Sequence, residues 1–357
     1  MPVDDEISRR RARCTDSFQG NGLLRPADLL ASIPPDTAED LYGDGGVVAD
    51  LERHVADLLG KPAAVFLPSG TMAQPATLRV HADRRPTRTV VWHPFAHPAR
   101  HEKEAHQRLH QLVGRSAGDA ERLLTAADLT AVAEPVAALL IELPQRDLGG
   151  QLPPWEDLVR QTEWARERGA AAHLDGARLW EASAGYQRSP AEIAALFDTA
   201  YVSFYKGVGA LSGCCVAGPE RDVAEVREWR HRLGGTLFGL WPAAASALHL
   251  LPQALAEMPA RMEHARAIAE ALRETPGVRV VPDPPQSPMM HLLLDTTAEA
   301  YAARARQLAE ETQFWVWPLA MATGDPRVVR VELGVGRATL RHKPSFIADT
   351  LQWLSQP

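Results

Sequence analysis

Two neighbouring stretches decide the fold: AAAHLDGARLWEA at 170–182 and AYVSFYKGVGALSGCCVAG at 200–218. Each begins as a short apolar run, the pattern of a buried strand. The first run ends at Asp175. The second ends just before Lys206, and a glycine-rich turn follows. An acid and a lysine delivered by consecutive strands suit pyridoxal phosphate (PLP). A lysine holds its aldehyde as a Schiff base, and an acid keeps its pyridine nitrogen protonated so that the ring accepts electrons. Asp175 also fits the N-cap of a helix over 177–184, a role compatible with the first.

The lysine has few competitors. Lys61, Lys103, Lys206 and Lys343 are the four lysines of the chain. Lys61 follows a glycine at a helix end, Lys103 lies in RHEKEAH and Lys343 in RHKP, so all three read as solvated. Lys206 alone follows an apolar strand.

Outward from this pair, strands and helices alternate from about residue 47 to 217. Apolar residues at 47, 51, 55, 58 and 59 have helical spacing, with Gly60 as the stop. AAVFL at 63–67 is a strand, PSGT a turn, and 72–81 a helix. Further strands read at 89–92, 136–143, 170–174, 200–204 and 214–217. The alternation predicts an α/β domain with a mostly parallel sheet and functional groups at strand carboxyl ends. Ser69, His97, Asp175 and Lys206 all lie just past such ends. The segment 242–273 reads as a linking helix kinked at Pro252 and Pro259, and the remainder as an α+β domain. The expected organisation is an N-terminal arm (1–30), a cofactor-binding domain (31–245), and a linker helix with a C-terminal domain (246–357).

Composition narrows the partners. At 357 residues the chain can bury a sizeable core, and its net charge of −7 argues against nucleic acid and anionic membranes. No apolar run is long enough to cross a bilayer, and the N-terminus lacks a secretory apolar core. Three cysteines, two of them adjacent, fit a reducing cytoplasm.

Strand, small-residue turn and helix aim backbone N–H groups at an anion, so Ser69, Gly70 and Thr71 become phosphate candidates beside a PLP lysine. Histidines at 93, 97, 101, 106 and 110 invite a metal reading. Prolines interrupt the first part, however, and 106–110 reads as a solvated helix face. A flat imidazole stacked on the cofactor ring is the better use for one of them, and no metal is expected. Arg178 and Arg330 can bind a substrate carboxylate bidentately.

With these residues assembled, the chain resembles the L-threonine aldolase family, in the β-eliminating lyase superfamily of fold-type I PLP enzymes. The matching segments are LYGDGG (41–46), GKPAAVFLPSGTMAQ (60–74), VVWHPFAH (90–97), HLDGARLWEA (173–182), YKGVGALSG (205–213) and WRHRLGG (229–235). The resemblance implies the aspartate aminotransferase fold, a PLP-binding large domain with a mostly parallel central sheet plus a smaller α+β domain. It implies that Lys206 carries the cofactor and Asp175 pairs with its ring nitrogen. Ser69, Gly70 and Thr71 would cradle the phosphate. His97 would stack on the ring, backed by Glu102, with His101 as a fallback. Arg178 and Arg330 would hold the substrate carboxylate, with Thr15 as a further contact. Sites shared within a homodimer or homotetramer follow from the same resemblance.

The implied reaction is retro-aldol cleavage of a β-hydroxy-α-amino acid to glycine and an aldehyde. β-Elimination, racemisation and transamination on the same scaffold are the alternatives, and a non-catalytic assembly partner is a second. The departures from the family pattern fall on the substrate side. Cys14-Thr15-Asp16-Ser17 replaces Arg-Ser-Asp-Thr, and Tyr205 replaces the serine before the lysine. Leu237-Phe238-Gly239 replaces Met-Arg-Gln, and Val331-Glu332-Leu333 replaces Val-Thr-His. Glu142 is followed by LPQRDLGG rather than an Asn-Thr-His-Asn loop.

Overall fold

A computed structural model describes residues 5–356. Packing divides them into two units, one of Pro26–Asp147 with Gln151–Leu255, the other of residues 5–25, Leu148–Gly150 and 256–356.

The larger unit is built on a seven-stranded sheet. Its strands are β1 (Ala63–Leu67), β2 (Thr89–Trp92), β3 (Val113–Ser116), β4 (Ala138–Glu142), β5 (Ala171–Gly176), β6 (Thr199–Ser203) and β7 (Cys214–Gly218). They lie in the order β1-β7-β6-β5-β4-β2-β3. Pairing is parallel from β3 through β2, β4 and β5 to β6, and β7 runs antiparallel to both β6 and β1. Strands β5, β6 and β7 are buried along their whole length. That is why they read as continuous apolar runs instead of alternating ones. β3 was not expected: its four residues, VGRS, are all exposed. An edge strand with no buried face leaves no apolar pattern in the sequence.

Two helices of this unit show how local sequence sets the ends. Gly46–Leu59 buries Val47, Leu51, Val55 and Leu59 along one stripe and stops at Gly60, whose φ of 59° is left-handed. Gly70–Asp83 starts at Ser69, whose side chain accepts a hydrogen bond from the Met72 N–H. The helix expected to kink at its prolines runs unbroken as Trp241–Arg273. Each proline removes one backbone N–H without ending it. The division between the units falls inside this helix.

The smaller unit carries a four-stranded sheet in the order β10-β11-β9-β8, antiparallel throughout. Its strands are β8 (Val278–Val281), β9 (Met289–Leu294), β10 (Met321–Ala322) and β11 (Val329–Gly334). Leu292, Leu294, Val331, Tyr301 and Leu351 form one apolar core, which Phe18 of the N-terminal segment joins. That segment is tied in by its backbone, with Thr15 N–H donating to Gln313 O at 2.8 Å and Trp315 N–H to Asp16 O at 2.8 Å.

Candidate active site

Parallel strands β4, β5 and β6 of the larger unit each bring a polar group at or just past their carboxyl ends. Asp175 on β5 lies in register with Glu142 on β4. Asp175 is 1% exposed and accepts a hydrogen bond from Ala177 N–H at 3.1 Å. Burial raises its pKa, while the charges of Lys206 and His97 pull it back down. Glu142 accepts from Arg146 N–H and from the Gln145 amide, each at 3.2 Å. Burial and the neighbouring Asp175 charge push Glu142 up to about 8, favouring its protonated form.

Lys206 follows the end of β6 by three residues. Burial lowers its pKa, against the attraction of Asp175 and with the repulsion of Arg178. The shift favours the neutral amine, the form that attacks an aldehyde. His97 places Nδ1 2.9 Å from Glu102 Oε1. Glu102 is 2% exposed, and its second oxygen has no partner among the described residues. Burial works against a charge on His97, but the Glu102 hydrogen bond and the Asp175 charge outweigh it, so its pKa is raised. Burial raises Glu102 as well.

The turn before the Gly70–Asp83 helix is tightly constrained. A side chain at Gly70 would overlap the Tyr201 hydroxyl. A side chain at Gly207 would overlap the Glu181 carboxylate, the group 3.4 Å from Arg178 Nη1. These glycines let the backbone approach its neighbours closely.

Asp175, Lys206, His97, Glu102 and Arg178 thus share one electrostatic neighbourhood. Ser69, Gly70 and Thr71 belong to the same unit, whereas Thr15 and Arg330 belong to the other. Arg330 sits on β11 opposite Met321 of β10, and its buried Nε has no partner among the described residues.

Some expectations need correction. His106 and His110 are not a solvated face: they are 8% and 0% exposed and pack against Trp92 and Trp229. Aromatic neighbours one strand and one helix away bury them, which local spacing does not reveal. Lys61 is not free in solvent either, since its ammonium donates to Phe197 O at 2.6 Å. Glu142 and Arg146 were not expected as site groups, yet both act on the charge of Lys206. The signal available was the loop itself, where a glutamate ends an apolar strand and an arginine follows four residues on.

The residues fit PLP. There is a half-buried lysine whose pKa is lowered by burial, a buried carboxylate beside it, an imidazole held by a glutamate, and a glycine turn with no room for a side chain. Comparison with known proteins agrees. The sequence profile of the beta-eliminating lyase family matches residues 33–294. The chain belongs to that family. Its cofactor is pyridoxal phosphate, and its architecture is that of the fold-type I PLP enzymes. A Listeria monocytogenes EGD-E structure, described as a candidate L-allo-threonine aldolase, superposes with a TM-score of 0.90 at 37% identity, covering 97% of each chain. The low specificity L-threonine aldolase of Escherichia coli K12 is 29% identical over 72% of this chain and 79% of its own length. The aldolase vrtJ of Penicillium aethiopicum is 33% identical over 61% of this chain, and the match spans 58% of that protein. Within the beta-eliminating lyases the chain therefore falls in the threonine aldolase group.

Proposed function

We propose that this lyase cleaves a β-hydroxy-α-amino acid of the threonine, allo-threonine or phenylserine type to glycine and an aldehyde. The observation that carries the reading is that Lys206, Asp175 and the His97–Glu102 pair act on one another's charge, with His97 Nδ1 2.9 Å from Glu102 Oε1. PLP, when bound, supplies the electron sink for the bond that breaks. Lys206 holds the cofactor, and its amine is available because burial disfavours the ammonium. Asp175 keeps a positive charge on the ring nitrogen by direct charge pairing. Ser69, Gly70 and Thr71 hold the phosphate at the start of a helix, where backbone N–H groups face outward.

His97 would lie against the cofactor and move a proton at the β-hydroxyl, with Glu102 fixing its orientation through Nδ1. Arg178 and Arg330 bind the substrate carboxylate, with Thr15 assisting. The unpartnered Nε of Arg330 supports that role. Tyr205, 44% exposed beside the lysine, supports an aromatic side chain on the substrate.

A homodimer or homotetramer is part of the same reading. Leu41, Tyr42, Leu237 and Phe238 are all exposed, and the Tyr42 and Phe238 rings meet edge to face at 5.5 Å. Such a patch supports association, and light scattering measures it. Three buried free cysteines support a reducing compartment such as the cytoplasm. Among the described residues no helix is long and apolar enough to cross a membrane.

The decisive assay offers L-threonine, L-allo-threonine, L-phenylserine and L-serine and analyses the products. Glycine with the matching aldehyde supports aldol cleavage. Pyruvate or another keto acid, or a racemised substrate with no glycine, overturns it in favour of elimination, transamination or racemisation.

A further inference from the structure

Below the acid and the turn lies a buried hydrogen-bonded chain that the proposed chemistry does not use. His81 Nε2 is 2.8 Å from Thr199 Oγ1, Thr199 Oγ1 is 2.8 Å from His173 Nδ1, and His173 Nε2 is 2.7 Å from Gln74 Oε1. All four side chains are at most 2% exposed. His173 and Thr199 are register partners on β5 and β6, while His81 and Gln74 both belong to the Gly70–Asp83 helix. The methyl group of Thr199 fills the space left by the missing side chain of Gly218 on β7.

The bonding fixes where the protons lie. Thr199 has one proton to give and touches two ring nitrogens, so it donates to one and accepts from the other. The Gln74 carbonyl oxygen only accepts, so His173 Nε2 carries a proton and its Nδ1 is a bare lone pair. Thr199 therefore donates to His173 Nδ1 and accepts from His81 Nε2–H. With the Gln74 amide oxygen facing His173, this ordering uses both nitrogens of His173 with no charge on either ring. Burial agrees, pushing both histidines down to about 3.

The chain's position gives it a task. His173 precedes Asp175 by two residues on β5, so the two side chains share a face of the strand. Gln74 sits one turn into the helix that opens at Gly70. We propose that Thr199 and Gln74 are positioning residues of the cofactor site. Through His173 and His81 they lock the helix that carries the phosphate turn onto the strand that carries Asp175. PLP joins its phosphate to the ring through a short CH2–O arm, so only a narrow range of spacings between turn and acid would satisfy phosphate and ring nitrogen together. The chain holds that spacing from beneath, using neutral groups that leave the charge of Asp175 undisturbed.

This inference rests on PLP being the cofactor but not on which bond is cleaved, and its test reads no activity. Histidine ¹⁵N spectra of the full-length protein at neutral pH report the tautomers. Neutral Nε2–H forms at both His81 and His173 are expected; an Nδ1–H form or a charged ring at His173 overturns the ordering. Affinities for PLP and for phosphate-free pyridoxal are then measured after resolving and re-adding the cofactor, for wild type, Thr199→Ser, Thr199→Val and Gln74→Met. Loss of the buried link is expected to weaken PLP about tenfold in Thr199→Val and Gln74→Met. Pyridoxal binding should change little, and Thr199→Ser should keep the wild-type preference. Should Thr199→Val not fold, Gln74→Met carries the test, because it leaves both rings and the hydroxyl in place. A folded Gln74→Met variant that binds PLP as tightly as wild type, or that loses PLP and pyridoxal affinity equally, overturns the proposal.

Discussion

The two units of the chain spend their buried space differently. At the strand ends of the larger unit, Asp175, Glu142, Glu102, Lys206, Arg178 and His97 crowd ionisable groups into a region where burial works against charge. The core of the smaller unit is apolar, from Phe18 and Leu292 to Val331 and Leu351, and its candidate contacts Thr15 and Arg330 sit at the margins of ordinary secondary structure. On the proposed reading, the groups for cofactor chemistry belong to the larger unit. Charge is tolerated in the larger unit because each group has an opposite or a hydrogen-bonding neighbour, and such pairing is what shifts pKa values at sites that do chemistry.

The contrast is broken most severely at the lysine. Lys206→Ala is expected to abolish the visible absorbance of lysine-bound cofactor and to lower turnover by on the order of a thousandfold or more, as read by a spectrum and a glycine-release assay. If turnover survives, the chemistry is not where the charges gather. Asp175→Asn keeps the shape but removes the carboxylate charge. Turnover should fall on the order of a hundredfold, with cofactor still bound when the spectrum is taken. Arg330→Gln probes the other unit. Its expected effect is a rise in KM of about tenfold with the cofactor spectrum unchanged. A lost spectrum would instead place Arg330 in cofactor binding.

The smallest effect is on stability. Glu142 titrates near 8 in the folded chain and near 4.5 when unfolded. The folded state therefore binds the extra proton between those values, so this group's stabilising contribution is complete below about pH 4.5. It declines as pH rises and is gone above about 8. In Glu142→Gln, denaturant melts of the cofactor-free protein should lose this slope. An unchanged slope would show that Glu142 ionises normally.

The sequence made much of this visible for a physical reason. Strands buried on both faces write themselves as apolar runs, so the order of residues alone locates the ends at Asp175 and near Lys206. The turn at Ser69 and Gly70 was legible because a capping serine starts the helix and a glycine is needed against Tyr201. The remainder depended on distant partners. Edge strand β3 buries nothing, and His110 is buried by Trp229, more than a hundred residues away in sequence. Glu142 becomes a site group only because β4 lies beside β5. The chain from His81 to Gln74 joins three segments through a threonine that no motif marks.

The central claim is that the cofactor is carried on Lys206. Borohydride reduction of the coloured protein, followed by peptide mass spectrometry, tests it without reference to substrate. The account predicts one phosphopyridoxyl group per chain, on the peptide containing Lys206. A label on Lys61, Lys103 or Lys343, or no label at all, would contradict it.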